Sequence, residues 1–388
     1  MIERGLASKA LAMAGQFPVV SITGPRQSGK TTLVKAVFPE YSYVSLEDAD
    51  IRAFASDDPR AFLARYGRKT IIDEAQRVPE LFSYIQGIVD ETGEPGQFVV
   101  SGSQNFLLME AIDQSLAGRV AVLNLLPLSL AELDAAGLAP ASMDEWLFAG
   151  GYPRIYDHGI DPADYYPNYI RTYIERDVRT TTGITKLVDF ERLLGLCAAR
   201  TSETLNIQAL SRDCGVAVNT VKEWLSVLEA SFLVRLLQPY HRNLGKRITK
   251  RPKLHLLDQG LAGNLIGLEE AADVALCPEK GALFKTALLS EVVKAYSAAG
   301  RTPRLSYWCD SSKREIDVLV ERGPAISWAI EAKASSTYRP KYFRHLDTVA
   351  EELGVPTDRR VVVYAGRETF ETSHGLVCAL KDLAGALV

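Results

Sequence analysis

The distribution of apolar and polar positions divides the chain into two patterns. FPVVSIT (17–23), YSYVSL (41–46), TIIDE (70–74), QFVVSGS (97–103) and VAVLNLL (120–126) are short apolar runs rich in β-branched residues. Between them lie stretches of helical period. PELFSYIQGIVDE (79–91), for example, carries its apolar positions at 81, 82, 85, 88 and 89. Strands that read as unbroken apolar runs are covered on both faces, and their alternation with helices predicts a doubly wound parallel sheet. From about 128 to 200 the pattern turns helical and tyrosine-rich, as in DYYPNYIRTYIERDV (164–178). A helix (FKTALLSEVVKAYSAAG, 284–300) then precedes the strand runs LSYWCD (305–310), EIDVLVER (315–322), SWAIEAK (327–333) and RRVVVYAG (359–366), which predict a second α/β domain. The expected order is a nucleotide-binding core (1–128), a helical lid (129–200), a winged helix (201–262) and a C-terminal α/β domain (263–388).

Chemistry enters at the first strand. It runs into GPRQSGKT (24–31), which has the form G-x-x-x-x-G-K-[ST], and a helix follows. That context lets backbone N–H groups curl around phosphates at a helix N-terminus. Gly24, Pro25, Arg26, Gln27, Ser28, Gly29, Lys30, Thr31 and Thr32 are therefore the candidate ATP-binding residues. Lys30 is expected on the β- and γ-phosphates and the Thr31 hydroxyl on Mg²⁺. Asp73, at the end of an apolar strand, is expected to hold the metal through water, and Glu74 to orient and deprotonate the attacking water. ATP and Mg²⁺ are the implied cofactors.

GPRQSGKTTL, IIDEAQRVPELF, VVSGSQNFLL, LAGRV, LPLSLAEL, GGYPR and TYIERDV together resemble a prokaryotic family of AAA+ ATPases. Its members pair such a motor with a C-terminal domain long catalogued as of unknown function and similar in outline to restriction-endonuclease folds. The resemblance covers nearly the whole chain. It implies an AAA+ core and places Gln76 in the active site. By analogy with AAA+ enzymes, Ser103, close to Ser101, Gln104 and Asn105, stands where a γ-phosphate sensor would. Arg119 stands where a finger reaching a neighbour's site would, which implies a homo-oligomer such as a hexamer, unless Arg119 simply caps its helix. Arg154, in a G-x-x-R setting, matches a lid sensor or closes a plain turn.

Residues 205–234, LNIQALSRDCGVAVNTVKEWLSVLEASFLV, read as a helix-turn-helix, with Gly215 as the breaker. From Ala230 to Leu257 there is no carboxylate, whereas Arg235, Arg242, Lys246, Arg247, Lys250, Arg251 and Lys253 are cationic. The whole chain has a formal charge of −4, so any electrostatic footprint for DNA, duplex or branched, must be local, and this basic stretch is the candidate. Thr220 and Lys222, at the start of the second helix, are the expected groove-facing residues, with Arg242, Lys246, Arg247, Lys250, Arg251 and Lys253 on phosphates. The alternative is a winged helix that packs or assembles.

In REIDVLVERGPAISWAIEAKAS (314–335), Asp317 lies on one strand and Glu331 and Lys333 on the next, across a turn at Gly323 and Pro324. The D-(x)n-E-x-K order resembles the restriction-endonuclease-like nuclease motif. It would give Asp317 and Glu331 to a second Mg²⁺, Glu291 as a further carboxylate from the preceding helix, and Lys333 beside the metal.

Two functions fit these residues: an ATPase that remodels or moves on DNA, with a metal-dependent nuclease domain attached, or a nucleotide-dependent regulatory or defence switch. Five cysteines (197, 214, 277, 309, 378) without a CxxC pair suggest neither a disulfide framework nor a zinc site. No apolar run approaches the ~20 residues that span a bilayer, and Glu3 and Arg4 interrupt the first residues. A cytoplasmic setting is expected, with no membrane partner.

Overall fold

The computed structural model describes residues 2–103, 108, 112, 114–173, 186–240 and 251–388. The chain divides into two compact units. One holds Met1–Leu128, Ala230–Phe232 and Ser297–Arg301; the other holds Ser129–Glu229, Leu233–Tyr296 and Thr302–Val388.

In the first unit, β1 (Val19–Thr23), β2 (Ser42–Ser45), β3 (Thr70–Asp73), β4 (Phe98–Gly102) and β5 (Val120–Asn124) form one sheet in the order β2-β3-β4-β1-β5. All its pairings are parallel. Successive side chains of each strand go to opposite layers. Val20, Ile22, Ile71 and Val99 pack with Leu33 and Val34 of the helix Lys30–Val37. Val19, Ile72 and Val100 pack with Phe82, Ile85 and Val89 of the helix Leu81–Thr92. Two apolar layers explain why these strands show no polar alternation. The parallel sheet with helices on both faces is the AAA+ type of core that the motifs predicted.

The second unit opens with the helices Leu130–Ala135, Met143–Ala149, Pro153–Asp157, Pro162–Tyr173 and Leu187–Ala199. β6 (Glu203–Thr204), the helices Ile207–Cys214 and Val218–Ala230, β7 (Val234–Pro239) and β8 (Lys253–Leu256) follow. Asn206 starts the first of that helix pair by accepting from the Ala209 amide at 3.1 Å, and Gly215 ends it. After the helix Lys280–Ala298 come β9 (Arg304–Cys309), β10 (Glu315–Arg322) and β11 (Ala325–Lys333). The helix Arg344–Leu353, β12 (Arg360–Tyr364), β13 (Phe370–Thr372) and β14 (Gly375–Ala379) complete the layer. These strands form a mixed nine-stranded sheet in the order β13-β14-β12-β11-β10-β9-β7-β8-β6. β7 pairs in parallel with β9 through Gln238↔Ser306 and Pro239↔Tyr307. One sheet thus continues across residue 262, where the sequence pattern suggested a boundary. Among the described residues no helix is long and apolar enough to cross a membrane.

A buried carboxylate joins the tyrosine-rich helices to the strands. Asp258, 3% exposed, caps the helix Gln259–Leu265 by accepting from the Leu261 amide at 2.9 Å. It also accepts from Tyr166 Oη and from the Gly151 amide, each at 2.8 Å. Gly150 has φ +66°, and a Cβ there would lie 2.1 Å from Tyr166 Oη and 2.4 Å from Asp258 Oδ1. Each buried donor left without its partner costs about 1–3 kcal/mol. Asp258→Ala orphans two, the Gly151 and Leu261 amides, because Tyr166 Oη keeps the Ala149 carbonyl at 2.8 Å. Chemical denaturation should show the second unit destabilised by at least about 2 kcal/mol. A change under about 1 kcal/mol would mean that water replaces the carboxylate.

Candidate functional site

β1 delivers the loop 24–29 at its C-terminal end, and the helix Lys30–Val37 starts directly from it. Gly24 has φ +150°, and a Cβ there would lie 2.0 Å from the Leu125 carbonyl oxygen. Only glycine lets the chain leave the sheet so close to the end of β5. Gly29 (φ 92°) and Gln27 (φ 59°) also have left-handed backbones, which turns successive amides toward the concave side of the loop. Pro25 and Ser28 are buried, Arg26 and Gly29 half-buried, and Gln27 and Thr32 exposed. Lys30 Nζ donates to the carbonyls of Gly24 (3.0 Å) and Pro25 (2.8 Å), across the mouth of the loop. Arg4 braces the loop from behind: Nη1 donates to the Ser28 carbonyl at 2.8 Å and Nη2 to the Leu126 carbonyl at 2.6 Å. Arg4 carried no sequence signal, because its partners are backbone atoms far along the chain.

The strand order brings β3 and β4 beside this loop. Asp73 and Ser101 are register partners, and Ser101 Oγ donates to Asp73 Oδ1 at 2.5 Å. Thr31 Oγ1 donates to Asp73 Oδ2 at 2.7 Å, and Tyr43 Oη reaches the same oxygen at 2.9 Å. Burial, and then the Asp73 charge, push the Tyr43 phenol up, so Tyr43 stays a proton donor. Lys35 Nζ lies 3.6 Å from the centroid of its ring. Neither residue was singled out by motif. Glu74 has a left-handed backbone (φ 54°, ψ 41°). Its Oε2 accepts from Gln76 Nε2 at 2.6 Å and from Ser103 Oγ at 3.3 Å. Gln76 and Ser103 therefore meet at Glu74. Gln104 and Asn105 lie outside the described residues.

Arg119 pairs with Asp90 of the helix Leu81–Thr92, its Nη2 donating to Oδ2 at 2.9 Å, and its Nη1 donates to the Ala117 carbonyl at 3.0 Å. Within one chain its partners are thus Asp90 and the Ala117 carbonyl. Arg154 is exposed on the helix Pro153–Asp157 of the second unit, where the turn before it is held by Asp258.

Of the cationic residues expected on DNA, Arg242, Lys246, Arg247 and Lys250 lie outside the described residues. Lys222 and Arg251 are exposed and Thr220 is half-buried. Lys253 requires a correction: it is 6% exposed, its Nζ lies 2.5 Å from Glu315 Oε1, and it sits over the Tyr307 ring. All four residues of β8 are buried, so Lys253 has no surface to offer a phosphate.

The second acidic centre forms across β10 and β11. They are antiparallel with Val318 opposite Ile330, so the next position sets Asp317 against Glu331. Asp317 Oδ2 accepts from the Ala332 amide at 2.9 Å, and Lys285 Nζ lies 2.6 Å from Oδ1. Glu331 Oε1 accepts from Lys333 Nζ at 2.6 Å, while the buried Oε2 has no hydrogen-bond partner. Burial raises both carboxyls. For Glu331, burial and then the neighbouring Asp317 outweigh Lys333 and push it up to about 8. Glu291 does not join them, which corrects its expected role. On the helix Lys280–Ala298 it pairs with Lys294 at 2.9 Å and accepts from the Leu130 amide at 2.9 Å. Lys285, two turns earlier, is the residue this helix gives the centre. Among the described residues no group of three His, Cys, Asp or Glu side chains is arranged to hold a metal ion.

The packing of Gly102 ties it to Glu74. A Cβ on Gly102 would lie 2.1 Å from Gln76 Oε1, and that flexible amide would have to move off Glu74. Gly102→Ala and Gln76→Ala should therefore share one phenotype. Nucleotide affinity stays near wild type while the rate of turnover falls by roughly ten- to hundredfold. Steady-state ATPase kinetics beside equilibrium binding would check this, and unequal phenotypes would break the link.

Three family models match the chain: an AAA domain over residues 16–134, and domains of unknown function DUF8612 over 141–272 and DUF4143 over 280–383. The uncharacterized proteins Rv2008c of Mycobacterium tuberculosis and Mb2031c of Mycobacterium bovis are each 30% identical over 389 aligned positions, covering 98% of this chain and 84% of theirs. Among solved structures, the Walker-type ATPase PABY2304 of Pyrococcus abyssi is 14% identical over 68% of this chain and 96% of that one, with a TM-score of 0.46. The RuvB Holliday junction branch migration motor of Thermotoga maritima is 18% identical over 61% and 90%, with a TM-score of 0.30. Likenesses this distant carry no weight for function. With an AAA-type phosphate loop and 30% identity to the mycobacterial proteins along 98% of its length, the chain belongs to their family, an AAA domain followed by two domains of unknown function.

Proposed function

We propose that this chain is an ATP-hydrolysing protein that acts on duplex or branched DNA, with a carboxylate centre in its C-terminal domain that serves phosphodiester chemistry. The observation that carries the first part is the meeting of Thr31, Asp73 and Glu74 at the mouth of the loop 24–29. The residues fit Mg²⁺-ATP. The loop amides and Lys30 would hold the phosphates, and Thr31 with Asp73 would hold the cation. A bound Mg²⁺ supplies charge neutralisation on the phosphates. Lys30 exchanges two loop carbonyls for phosphate oxygens. Glu74 takes the proton of the attacking water, and Gln76 and Ser103 hold its carboxylate in position for that transfer. Arg119 can serve a neighbouring copy's site only after release from Asp90, so an oligomeric enzyme should turn over faster per chain as its concentration rises.

DNA contact is supported by charge and local geometry together. The helices Ile207–Cys214 and Val218–Ala230 precede two antiparallel strands, β7 and β8, as in a winged helix. Lys222 is exposed on the second of these helices, and residues 242–251, between the strands in sequence, carry five cations and no carboxylate. Asp317, Glu331 and Lys333 retain the order of a nuclease motif.

The test is an ATPase assay with single-stranded, duplex, forked and four-way DNA, with Mg²⁺ present and the DNA products resolved. Turnover should rise with at least one DNA and vanish in Lys30→Ala. Neutralising Lys246, Arg247, Lys250 and Arg251 together should flatten the salt dependence of DNA affinity by about three to four log units per log unit of salt. Mg²⁺-dependent cleavage, where seen, should disappear in Asp317→Ala and Lys333→Ala. Turnover indifferent to every DNA, with nucleotide controlling assembly instead, would identify a nucleotide-dependent switch.

A further inference from the structure

The pair Asp317 and Glu331 belongs to a longer chain of charges. Lys253 Nζ lies 2.5 Å from Glu315 Oε1, and Lys285 Nζ lies 3.0 Å from that same oxygen. Lys285 Nζ then reaches Asp317 Oδ1 at 2.6 Å, and Lys333 Nζ reaches Glu331 Oε1 at 2.6 Å. Three carboxylates therefore face three ammonium groups, and the cluster is neutral when all are ionised. A divalent cation on Asp317 and Glu331 would add two positive charges at a distance where Lys285 already stands. The two cannot share Asp317 Oδ1, because cation–oxygen contacts of about 2.1–2.4 Å would press the ion against the ammonium.

We infer that Lys285 is the cation this carboxylate pair already holds, and that a divalent ion enters only by displacing it. This rests on reading Asp317 and Glu331 as a cation-binding pair, for which the buried, unpartnered Glu331 Oε2 is the independent sign.

The three lysines differ in their freedom to leave. The Lys253 side chain is 8% exposed and is shut in over Tyr307, so it stays with Glu315. Lys285 is 32% exposed, and its flexible stem can carry the ammonium into solvent. Lys333, 29% exposed, pairs with Glu331, and among the described residues it makes no ion pair with Asp317. Glu315 thus acts as a second anchor: clamped by Lys253, it holds Lys285 beside Asp317. Burial works against the Lys285 charge, yet Asp317 and Glu315 raise its pKa, so it remains cationic at neutral pH. An arriving phosphate would compete for that ammonium, and the pair would then be open to metal.

The inference is tested by Mn²⁺ binding to the full chain without nucleotide, read by electron paramagnetic resonance of the free ion. Wild type and Lys285→Arg should bind weakly at this centre. Lys285→Met and Lys285→Gln should each take one Mn²⁺ at least about tenfold more tightly. That gain should vanish in Lys285→Met combined with Asp317→Asn. Thermal unfolding gives a second readout, because Mn²⁺ should raise the midpoint of Lys285→Met and leave that of wild type in place. Tight, Asp317-dependent binding that is equal in wild type and Lys285→Met would overturn the role of Lys285 and leave the cation-binding pair standing. Absence of Asp317-dependent Mn²⁺ binding in every variant would remove the pair as a cation site, and the inference with it.

Discussion

The carboxylate of Asp73 is the point on which the first unit converges. It ends β3, and three hydroxyls reach it from three elements: Thr31 from the loop helix, Ser101 from β4 and Tyr43 from β2. Its own oxygen also accepts from the Glu74 amide at 3.1 Å. Four donors hold one acid at a fixed height above the sheet. Its partners can align there only because parallel register places strand ends side by side. Glu74 follows in a left-handed turn and is thereby directed away from the donors of Asp73, toward Gln76 and Ser103. Two adjacent carboxyls thus obtain different partners, three hydroxyls and an amide for Asp73, and the Gln76 amide and Ser103 hydroxyl for Glu74.

The second unit repeats the theme with a different balance. Its acidic residues are countered by lysines of the same chain, on β8, on β11 and on the helix Lys280–Ala298. Buried charges need such partners, and removing one leaves an uncompensated ion. The first unit leaves its acid with hydroxyl donors that can yield to a metal's water shell. The second holds its acids with ammonium groups, so ligand entry there becomes an exchange of cations.

Much of the first unit was legible because its signals are local. The loop motif, the strand before it and the helix after it are contiguous, and strands buried on both faces read as apolar runs. Arg4 and Tyr43 escaped notice because each acts on atoms that only folding brings near. In the second unit, the antiparallel pairing of β10 and β11 followed from a turn between two apolar strands, and it set Asp317 opposite Glu331. The partner from the preceding helix was misjudged. Glu291 has the right charge, but helical rotation sends it to Lys294 and the Leu130 amide, while Lys285 faces the sheet. Lys253 was misread because a cation in a basic stretch looks solvated until the fold covers both faces of its strand, as it does along β8. The continuation of one sheet through β7 and β9 had no sequence signal, since two register pairs carry it.

The central claim is that the loop 24–29 and the tip of β3 hold one nucleotide and its metal together. Calorimetric titration of the chain with a non-hydrolysable ATP analogue, with Mg²⁺ and then with EDTA, tests it most directly, using wild type and Asp73→Asn. The account predicts one site per wild-type chain, weakened about tenfold or more when Mg²⁺ is withdrawn, and a site in Asp73→Asn that has lost most of that dependence. Titrations indifferent to both Mg²⁺ and Asp73, or no binding by the wild-type chain, would contradict it.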